Sequence, residues 1–330
     1  MNKKGISVVI PNYNGSLLLP MIMPFLYDAL KNTNLPYEVI VVDDCSTDDS
    51  LDILKANYPE IFLLKNETNK GFSPTINKGI FIAQYDYLLL LNSDVKLNSN
   101  YFENLLPYFD DVATFGVMGR IIGWDNDKIQ DGGKYPSMQG VKIKTSVNYI
   151  PVESKKGDRL CSMYLSGANA FVSRDKIIAL GGFNELFAPF YVEDVDLSLR
   201  AWRMGWKCYY EHNAICRHKT STTIKSKSSK LFIDTIYYRN KMFLHAIHLS
   251  GLNLFLWYVT LLPEIIIHLL TGRFYYFSSL KLFFKSGKEI RNSKNKFSLM
   301  QQKNNTKDIF VFNITQKIKE NLLKKIIVNF

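Results

Sequence analysis

The sequence predicts an α/β protein with a mostly parallel sheet and helices on both of its faces. Short apolar runs of strand length alternate with segments of helical periodicity, which is the pattern of parallel sheets. Runs made almost only of aliphatic residues are typical of strands buried on both faces. The predicted strands are Ile6–Pro11, Tyr37–Val42, Ile61–Leu64 and Leu88–Leu91. The helices predicted between them cover residues 17–31, 46–57 and 73–83, with Ser46 as the cap of the second.

The alternation is weaker after the fourth strand. A strand is expected from Thr114, followed by short strands or a variable loop over the cleft, with Asp131 in a turn. The elements expected after this loop are a strand near 169–172, helices over 174–180 and 193–204, and a last strand over 206–210.

Apolar and aromatic residues dominate the C-terminal third of the chain. A linker is expected over 220–229 and an aromatic-rich helix over 231–248. The apolar stretch 252–270 is long enough to cross a bilayer, but the glutamate within it is costly in lipid. We therefore expect a helical hairpin that lies in the membrane interface. Residues 292–310 are expected to be disordered, and 314–328 to form an amphipathic helix that touches the same surface.

Positive charge is concentrated in the same region. Residues 219–330 contain 19 lysine and arginine residues and 5 acidic residues, whereas residues 1–218 contain 22 and 25. A basic segment favours an anionic partner, and long apolar runs favour a membrane surface over nucleic acid. The four cysteines lack the spacing of a zinc site or a disulfide framework, which is typical of reduced thiols in the cytoplasm.

Acidic residues follow several predicted strands. Asp43 and Asp44 end the second strand, Asp94 follows the fourth, and Glu193 with Asp194 opens a helix. Each group alone is also typical of a turn or a helix start. Because ligands bind at the carboxyl edge of such sheets, converging acids there indicate a cation site. The chain lacks the GxGxxG and GxxxxGKS/T phosphate loops, so a metal held by Asp94 is expected to neutralise phosphates.

Five ordered blocks of the sequence resemble the family 2 glycosyltransferases, which are inverting enzymes of the GT-A fold. The blocks are Ser7–Asn14, Val41–Asp48, Asn69–Gly79, Leu91–Asp94 and Gly181–Arg200. The resemblance covers about residues 5–220 and is greatest to transferases that build bacterial surface polysaccharides, including rhamnosyltransferases. It implies a GT-A nucleotide-diphospho-sugar transferase fold, to which this chain adds C-terminal amphipathic helices.

The resemblance implies roles for the matching residues. Pro11, Tyr13 and Asp44 match the pocket for the nucleotide base and ribose. Asp94 matches the last acid of the DXD metal motif, Asp194 matches the general base, and His218 matches a further ligand of some members. Neighbours expected in the nucleotide site are Asn14, Lys70, Asn92 and Ser93, and those expected in the donor or acceptor pocket are Gly167, Ala168, Asn169 and Glu193.

Asn92 departs from the family's motif because it stands where the first aspartate would be. An asparagine still donates to or accepts from a ribose hydroxyl. It removes one negative charge, however, so a lower metal affinity is expected.

The implied reaction moves a sugar from a nucleoside-diphosphate donor to an acceptor hydroxyl. A UDP- or dTDP-linked donor, with rhamnose as one candidate, and a glycan or polyprenyl-linked acceptor are expected, with Mg²⁺ or Mn²⁺ as cofactor. One general base without an enzymic nucleophile implies inversion. The expected location is the inner face of the cell membrane, bound peripherally from the cytoplasm through residues 231–291, with no nucleic-acid partner.

This organisation predicts three regions. Residues 1–222 form a GT-A catalytic domain, with a nucleotide-binding half over 1–97 and an acceptor half over 98–222. Residues 223–292 form a membrane-associating helical region, and 293–330 form a basic, partly disordered tail with a terminal helix.

Two other functions are compatible with parts of the sequence. A sugar nucleotidyltransferase has a related sheet, but it needs a glycine-rich basic loop after the first strand to hold a triphosphate. A non-catalytic binding protein on a transferase scaffold is compatible with Asn92. Diphosphate release from a nucleoside triphosphate would indicate the first, and failure to hydrolyse any nucleotide sugar would indicate the second.

Overall fold

A ten-stranded sheet forms the centre of the protein. The structure is a computed structural model that describes residues 3–153, 155, 157–219 and 229–328. The strands are β1 Ile6–Asn12, β2 Tyr37–Asp43, β3 Phe62–Lys65, β4 Tyr87–Leu91, β5 Val95–Leu97, β6 Thr114–Gly123, β7 Ile129–Asp131, β8 Gly133–Lys134, β9 Ser137–Gln139, β10 Lys142–Lys144, β11 Asn148–Pro151, β12 Leu160–Cys161, β13 Asn169–Ser173, β14 Lys207–His218 and β15 Ile326–Val328.

The helices cover both faces of this sheet and continue into the C-terminal third of the chain. They are α1 Leu19–Lys31, α2 Ser50–Asn57, α3 Phe72–Ile82, α4 Tyr101–Leu105, α5 Arg174–Ala179, α6 Glu193–Arg203, α7 Lys230–His248, α8 Gly251–Leu270, α9 Tyr275–Lys285, α10 Gly287–Lys303 and α11 Val311–Leu322.

The strand order is β12-β14-β6-β13-β4-β1-β2-β3, with β5 beside β14 and β7 beside β6. β1 pairs in parallel with β2 and β4, whereas β13 runs antiparallel between β4 and β6. The side chains of β1 and β4 are fully buried from Val8 to Ile10 and from Leu88 to Leu91, as their aliphatic sequences predict. The carboxyl ends of β1, β2 and β4 therefore meet at one edge of the sheet.

Two predicted local features differ in the structure. The second helix begins at Ser50, and Ser46 does not cap it because the Ser46 backbone N–H and hydroxyl donate to the Asp43 carboxylate. The predicted linker over 220–229 lies, apart from Ser229, outside the described residues, and so does the predicted boundary between 222 and 223.

The expected disorder over 292–310 is wrong, because α10 continues to Lys303. Ile290 and Phe297 lie two helical turns apart, and both are buried against the body. Arg203 of α6 lies over the Phe297 ring and forms a 2.8 Å ion pair with Asp308, which fixes the segment after α10. Tertiary burial therefore orders a stretch whose composition is mostly polar.

The terminal helix exists, but its apolar face is not free to touch a membrane. Ile314 and Ile318 of α11 are buried, and α11 packs on β12 and α6. The chain then ends in β15, where Ile326 pairs with Pro151 of β11. This part of the basic tail belongs to the folded body.

Candidate active site

Loops that follow β1 and β2 are tied together at the carboxyl edge of the sheet. The Asn12 side-chain amide donates to the Asp43 carboxylate over 2.9 Å, in register with the strand pair. The Asn14 backbone N–H donates to Ser46 Oγ over 2.8 Å. Pro11 lies near the end of β1 and Tyr13 in the loop that follows it, and both are partly buried. The predicted nucleotide residues of the first strand therefore lie beside the acids of the second.

Asp44 holds the loop that enters α3. Its carboxylate accepts hydrogen bonds from the backbone N–H groups of Lys70 and Gly71, at 2.8 and 2.9 Å, and from the Asn66 amide at 2.9 Å. Gly71 has a φ of 82°, and a Cβ there would lie 2.5 Å from Pro189 Cα. A glycine is needed at this close approach. The Lys70 side chain is exposed, so its backbone and not its ammonium group contacts Asp44.

Asp94 is buried in the turn between β4 and β5, and only one of its two carboxylate oxygens has a neighbour that could bond to it among the described residues. Oδ2 lies 3.4 Å from His218 Nε2, because β5 pairs with the end of β14 and brings His218 opposite Val95. Oδ1 is buried and has no hydrogen-bond partner among the described residues. Nδ1 of His218 lies 3.1 Å from Gln130 Oε1, which orients the ring.

A short path of contacts connects Asp94 to Asp194. The Asn92 backbone N–H donates to the Ala168 carbonyl over 3.1 Å, where β13 pairs with β4. The Asp194 carboxylate accepts from the backbone N–H of Gly167, and from that of Val195 over 2.8 Å. Ser93 lies between Asn92 and Asp94 and is partly exposed.

The two acids at the start of α6 are in a desolvated environment. Burial raises the pKa of Asp194, and the positive charge of Lys134 limits that rise. Burial and the neighbouring Asp194 charge raise the pKa of Glu193 well above its ordinary range. Glu193 Oε2 is buried and has no partner among the described residues. A carboxylate with a raised pKa is suited to proton transfer.

α6 itself is fixed by a buried ion network. Asp196 lies 2.8 Å from Arg200 Nε and 2.9 Å from His248 Nε2. Burial alone would raise the pKa of Asp196, but the Arg200 charge and these hydrogen bonds hold it below its ordinary value. Arg200 also donates to the carbonyls of Leu180 and Gly182. Asp196 therefore anchors the helix that carries Asp194, and it does not face the site.

The structure brings the predicted site residues to one edge of the sheet, with one exception. Asn169 is fully buried, and its amide nitrogen donates to the Gly119 carbonyl over 3.0 Å. The same nitrogen lies 3.2 Å from Cys216 Sγ. The prediction that Asn169 lines the donor or acceptor pocket is therefore wrong, because its side chain is enclosed between β13, β6 and β14.

Two residues with contacts near the site carry no signal in the sequence. Lys134 is buried, forms an ion pair with Asp131 and lies over the Tyr164 ring, 5.2 Å from its centroid. Asn240 of α7 is fully buried, and its amide donates to the backbone just before α6. In the sequence, Lys134 is simply a lysine that follows two glycines, and Asn240 is a single asparagine in an apolar helix. Neither pattern indicates a functional residue.

A metal bound here would need ligands from the substrate in addition to those from the protein. No group of three His, Cys, Asp or Glu side chains capable of holding a metal is found in the part of the chain that the structure describes. Asp94 and His218 nevertheless fit one, because the buried Oδ1 is unpartnered and carboxylate oxygen and imidazole nitrogen are common metal ligands.

The sequence model described as Glycosyl transferase family 2 matches residues 7–176, which is half of the chain. The chain is a member of this glycosyltransferase family. The match includes Asp44, Asp94 and Gly167 but ends before Asp194 and the C-terminal helices.

The curated relatives of this glycosyltransferase include two rhamnosyltransferases and a chondroitin synthase. An N-acetylglucosaminyl-diphospho-decaprenol L-rhamnosyltransferase of Mycobacterium tuberculosis is 25% identical over 64% of this chain and 76% of its own length. The O-antigen chain rhamnosyltransferase WbaN of Salmonella anatum is 24% identical over 70% of this chain and 71% of its own length. The chondroitin synthase of Escherichia coli is 27% identical over 62% of this chain, which spans only 33% of that protein.

Solved structures confirm the predicted GT-A fold. GalNAc-T7, crystallised with UDP, GalNAc and Mn²⁺, superposes with a TM-score of 0.62 at 16% identity over 97% of this chain and 56% of its own. The mannosyltransferase PcManGT of Pyrobaculum calidifontis, in complex with GDP-Man and Mn²⁺, superposes with a TM-score of 0.52 at 14% identity. The superposition covers 97% of this chain and 86% of PcManGT. At these identities the likeness extends to the fold alone.

Proposed function

We propose that the chain is an inverting glycosyltransferase that moves a sugar from a UDP- or dTDP-linked donor to a hydroxyl of a lipid-linked glycan. The observation that carries the proposal is the contact path from Asp94, with its unpartnered buried oxygen, to Asp194, with its raised pKa. Rhamnose is the preferred sugar because rhamnosyltransferases are among the relatives.

The nucleotide is proposed to bind at the ends of β1 and β2. Pro11, Tyr13 and Asn14 would face the base and ribose, and Asp44 and the Lys70 backbone would shape the opposite wall. Asn92 and Ser93 follow β4, which borders β1 on the side opposite β2, and would contact the ribose or the first phosphate.

Asp94 and His218 would hold Mg²⁺ or Mn²⁺ against the diphosphate of the donor. When bound, such a cation neutralises the charge that develops on the leaving diphosphate. Gly167 and Ala168 lie on the contact path between the two acids and would form the wall there, and Glu193 would face the acceptor side of the pocket.

Asp194 is proposed to accept the proton of the attacking hydroxyl. Its carboxylate is fixed by the backbone N–H groups of Gly167 and Val195, so it meets the acceptor in one orientation. Such a base contributes roughly 10²- to 10⁴-fold to the rate. Attack from the face opposite the diphosphate inverts the configuration of the sugar.

Membrane binding is proposed for α8 and α9. α8 is long and apolar enough to cross a membrane, and only 17% of its apolar window is buried. Glu264 is turned toward the protein, where it pairs with Lys142 and accepts from the Tyr276 hydroxyl over 2.6 Å. The exposed side chains Lys281 and Lys285 of α9 are suited to anionic headgroups. A helix lying in the interface explains both an apolar outer face and a satisfied glutamate.

The direct test combines nucleotide sugars with Mn²⁺ and the purified full-length chain. One UDP- or dTDP-sugar should raise the melting temperature, and its nucleoside diphosphate should be released on turnover. Asp194→Asn should retain the stabilisation by donor and lose roughly 10²- to 10⁴-fold in rate. Release of inorganic diphosphate from a nucleoside triphosphate, or near-normal turnover by Asp194→Asn, would contradict the proposal.

A further inference from the structure

Lys241 is a partly buried lysine whose ammonium group donates hydrogen bonds to two neutral oxygens. Its Nζ donates to the Ile143 carbonyl over 3.2 Å and to Thr145 Oγ1 over 3.3 Å. No carboxylate forms an ion pair with it among the described residues. Burial and the like charge of Lys144 lower the pKa of Lys241 to about 8. A desolvated cation held beside a second cation is costly unless an anion joins them.

The nearest acid does not provide this anion. Glu264 acts on Lys241 electrostatically, but its carboxylate is already held by Lys142 and by the Tyr276 hydroxyl. Among the described residues, neither Lys241 nor Lys144 forms an ion pair with an acid, so an anion that bound between them would be favoured.

These lysines lie between the candidate base and the apolar helix. Thr145, whose hydroxyl contacts Lys241, accepts through its carbonyl a 2.6 Å hydrogen bond from the Tyr164 hydroxyl. Tyr164 is close enough to Asp194 for the carboxylate charge to raise the pKa of the phenol, although burial is the larger cause. On the other side of these lysines, the ion pair between Lys142 and Glu264 joins β10, which also carries Lys144, to α8.

We infer that Lys241 and Lys144 bind the diphosphate of the lipid-linked acceptor. The inference rests on the proposed function and assigns the site that recognises its acceptor. In this arrangement the isoprenoid chain lies on the exposed face of α8, and the sugar that follows the diphosphate extends past Tyr164 toward Asp194. For Lys241, a charge-assisted hydrogen bond to a phosphate oxygen would replace a bond to a neutral oxygen, which favours binding.

The test uses farnesyl diphosphate as a short probe and titration calorimetry on the full-length chain. Lys241→Met retains the apolar stem and should weaken binding of the probe roughly 10- to 100-fold, the loss expected for a hydrogen bond to a charged group. Lys144→Met should weaken it less, and Lys241→Arg should restore most of the affinity. Lys31→Met removes an equal charge from an exposed position on α1, outside the expected membrane-binding region, and should leave the affinity unchanged.

Three control ligands distinguish binding at this site from binding to the nucleotide site, to the apolar surface or to a lipid headgroup. Farnesol should not show the Lys241 dependence, UDP with Mn²⁺ should bind Lys241→Met normally, and phosphatidylglycerol vesicles should bind both proteins alike. Equal affinity of wild type and Lys241→Met for the probe would overturn the inference, as would displacement of the probe by UDP. Failure of wild type to bind UDP would instead contradict the proposed function, while the Lys241 dependence of the probe would still be measured.

Discussion

The side-chain amide of Asn240 donates a hydrogen bond of 2.9 Å to the backbone carbonyl of Tyr191. The same amide contacts the carbonyls of Phe187 and Phe190 at 2.6 and 2.9 Å. Tyr191 and Val192 have φ values of 76° and 74°, a left-handed conformation that aromatic and β-branched residues rarely adopt. Helix α6, with Glu193 and Asp194, begins at the next residue. Asn240 therefore holds the strained turn that aims the candidate base.

Replacing Asn240 with alanine should lower kcat with little change in KM for the donor. The variant leaves the nucleotide loops intact but frees the turn before α6, and a displacement of about 1 Å at a reacting group costs roughly 10²-fold in rate. Steady-state kinetics at varied donor concentration measures the two constants separately.

Thr235→Ala is the matched control for this variant. It removes a hydrogen bond within the same helix, from Thr235 Oγ1 to the Leu231 carbonyl, without touching the turn. An equal loss of kcat in both variants, or a loss of donor affinity in Asn240→Ala alone, would show that Asn240 acts through the stability of α7 or through the nucleotide site.

Lys134→Met should move the acidic limb of the pH–rate profile to higher pH. Burial raises the pKa of Asp194 and Lys134 opposes that rise, so removal of the ammonium group raises it further. Asp131 is then left without its ion-pair partner, and its charge acts in the same direction. Because the base must be deprotonated, kcat/KM rises with pH through this pKa.

The measurement is kcat/KM as a function of pH for wild type, Lys134→Met and Lys55→Met. Lys55 is exposed in the last turn of α2 and provides a change of equal charge away from the site. A limb that stays in place, or that moves to lower pH in Lys134→Met, would remove Asp194 as the titrating base.

Asp94→Asn should weaken Mn²⁺ binding in the presence of UDP more than His218→Ala does. Asp94 supplies the negative charge and the unpartnered buried oxygen, whereas His218 supplies a neutral nitrogen 3.4 Å away. Loss of a supporting partner of a metal ligand already costs 10- to 100-fold, so a loss of at least about tenfold is expected for Asp94→Asn. Electron paramagnetic resonance of free Mn²⁺ measures the affinity, and Asp125→Asn, on an exposed turn, is the control. Unchanged affinity in Asp94→Asn would place the metal elsewhere.

The strand ends are the part of the site that the sequence makes predictable. An aliphatic run such as Leu88–Leu91 has to be a buried strand, so the polar residues that follow it must lie at the edge of the sheet. The same reasoning places Asp44 after β2. Family membership and fold are confirmed by the comparisons, whereas the roles of the single residues stay predictions.

Contacts that tertiary packing creates could not be predicted in this way. Asn169 follows a loop and enters a strand, and only the neighbouring strands β6 and β14 show that its side chain is enclosed. Asn240 acquires its partners because α7 folds back onto a turn some fifty residues earlier in the chain. Two buried apolar residues order α10, and the Arg203–Asp308 pair orders the segment after it, but in the sequence these residues are scattered among polar ones.

Membrane binding should depend on the outer face of α8 and not on the end of the chain. Leu262 and Ile266 are 64% and 58% exposed on this helix, while Ile314 and Ile318 of α11 are buried in the body. Deletion of residues 231–330 would therefore expose the core, so point variants are the sharper test. Leu262→Gln with Ile266→Gln should lower binding to vesicles about tenfold or more, since burying one such side chain is worth about 1.5–3 kcal/mol.

Sedimentation with vesicles of phosphatidylcholine and phosphatidylglycerol measures this partitioning. Val112→Gln, at an exposed aliphatic position far along the chain from α8, is the control and should bind as wild type does. Donor binding should be unchanged in all variants because α8 does not contribute to the strand ends. If the double variant sediments like wild type, the apolar face of α8 does not anchor the protein, and the lysines of α9 become the next segment to test.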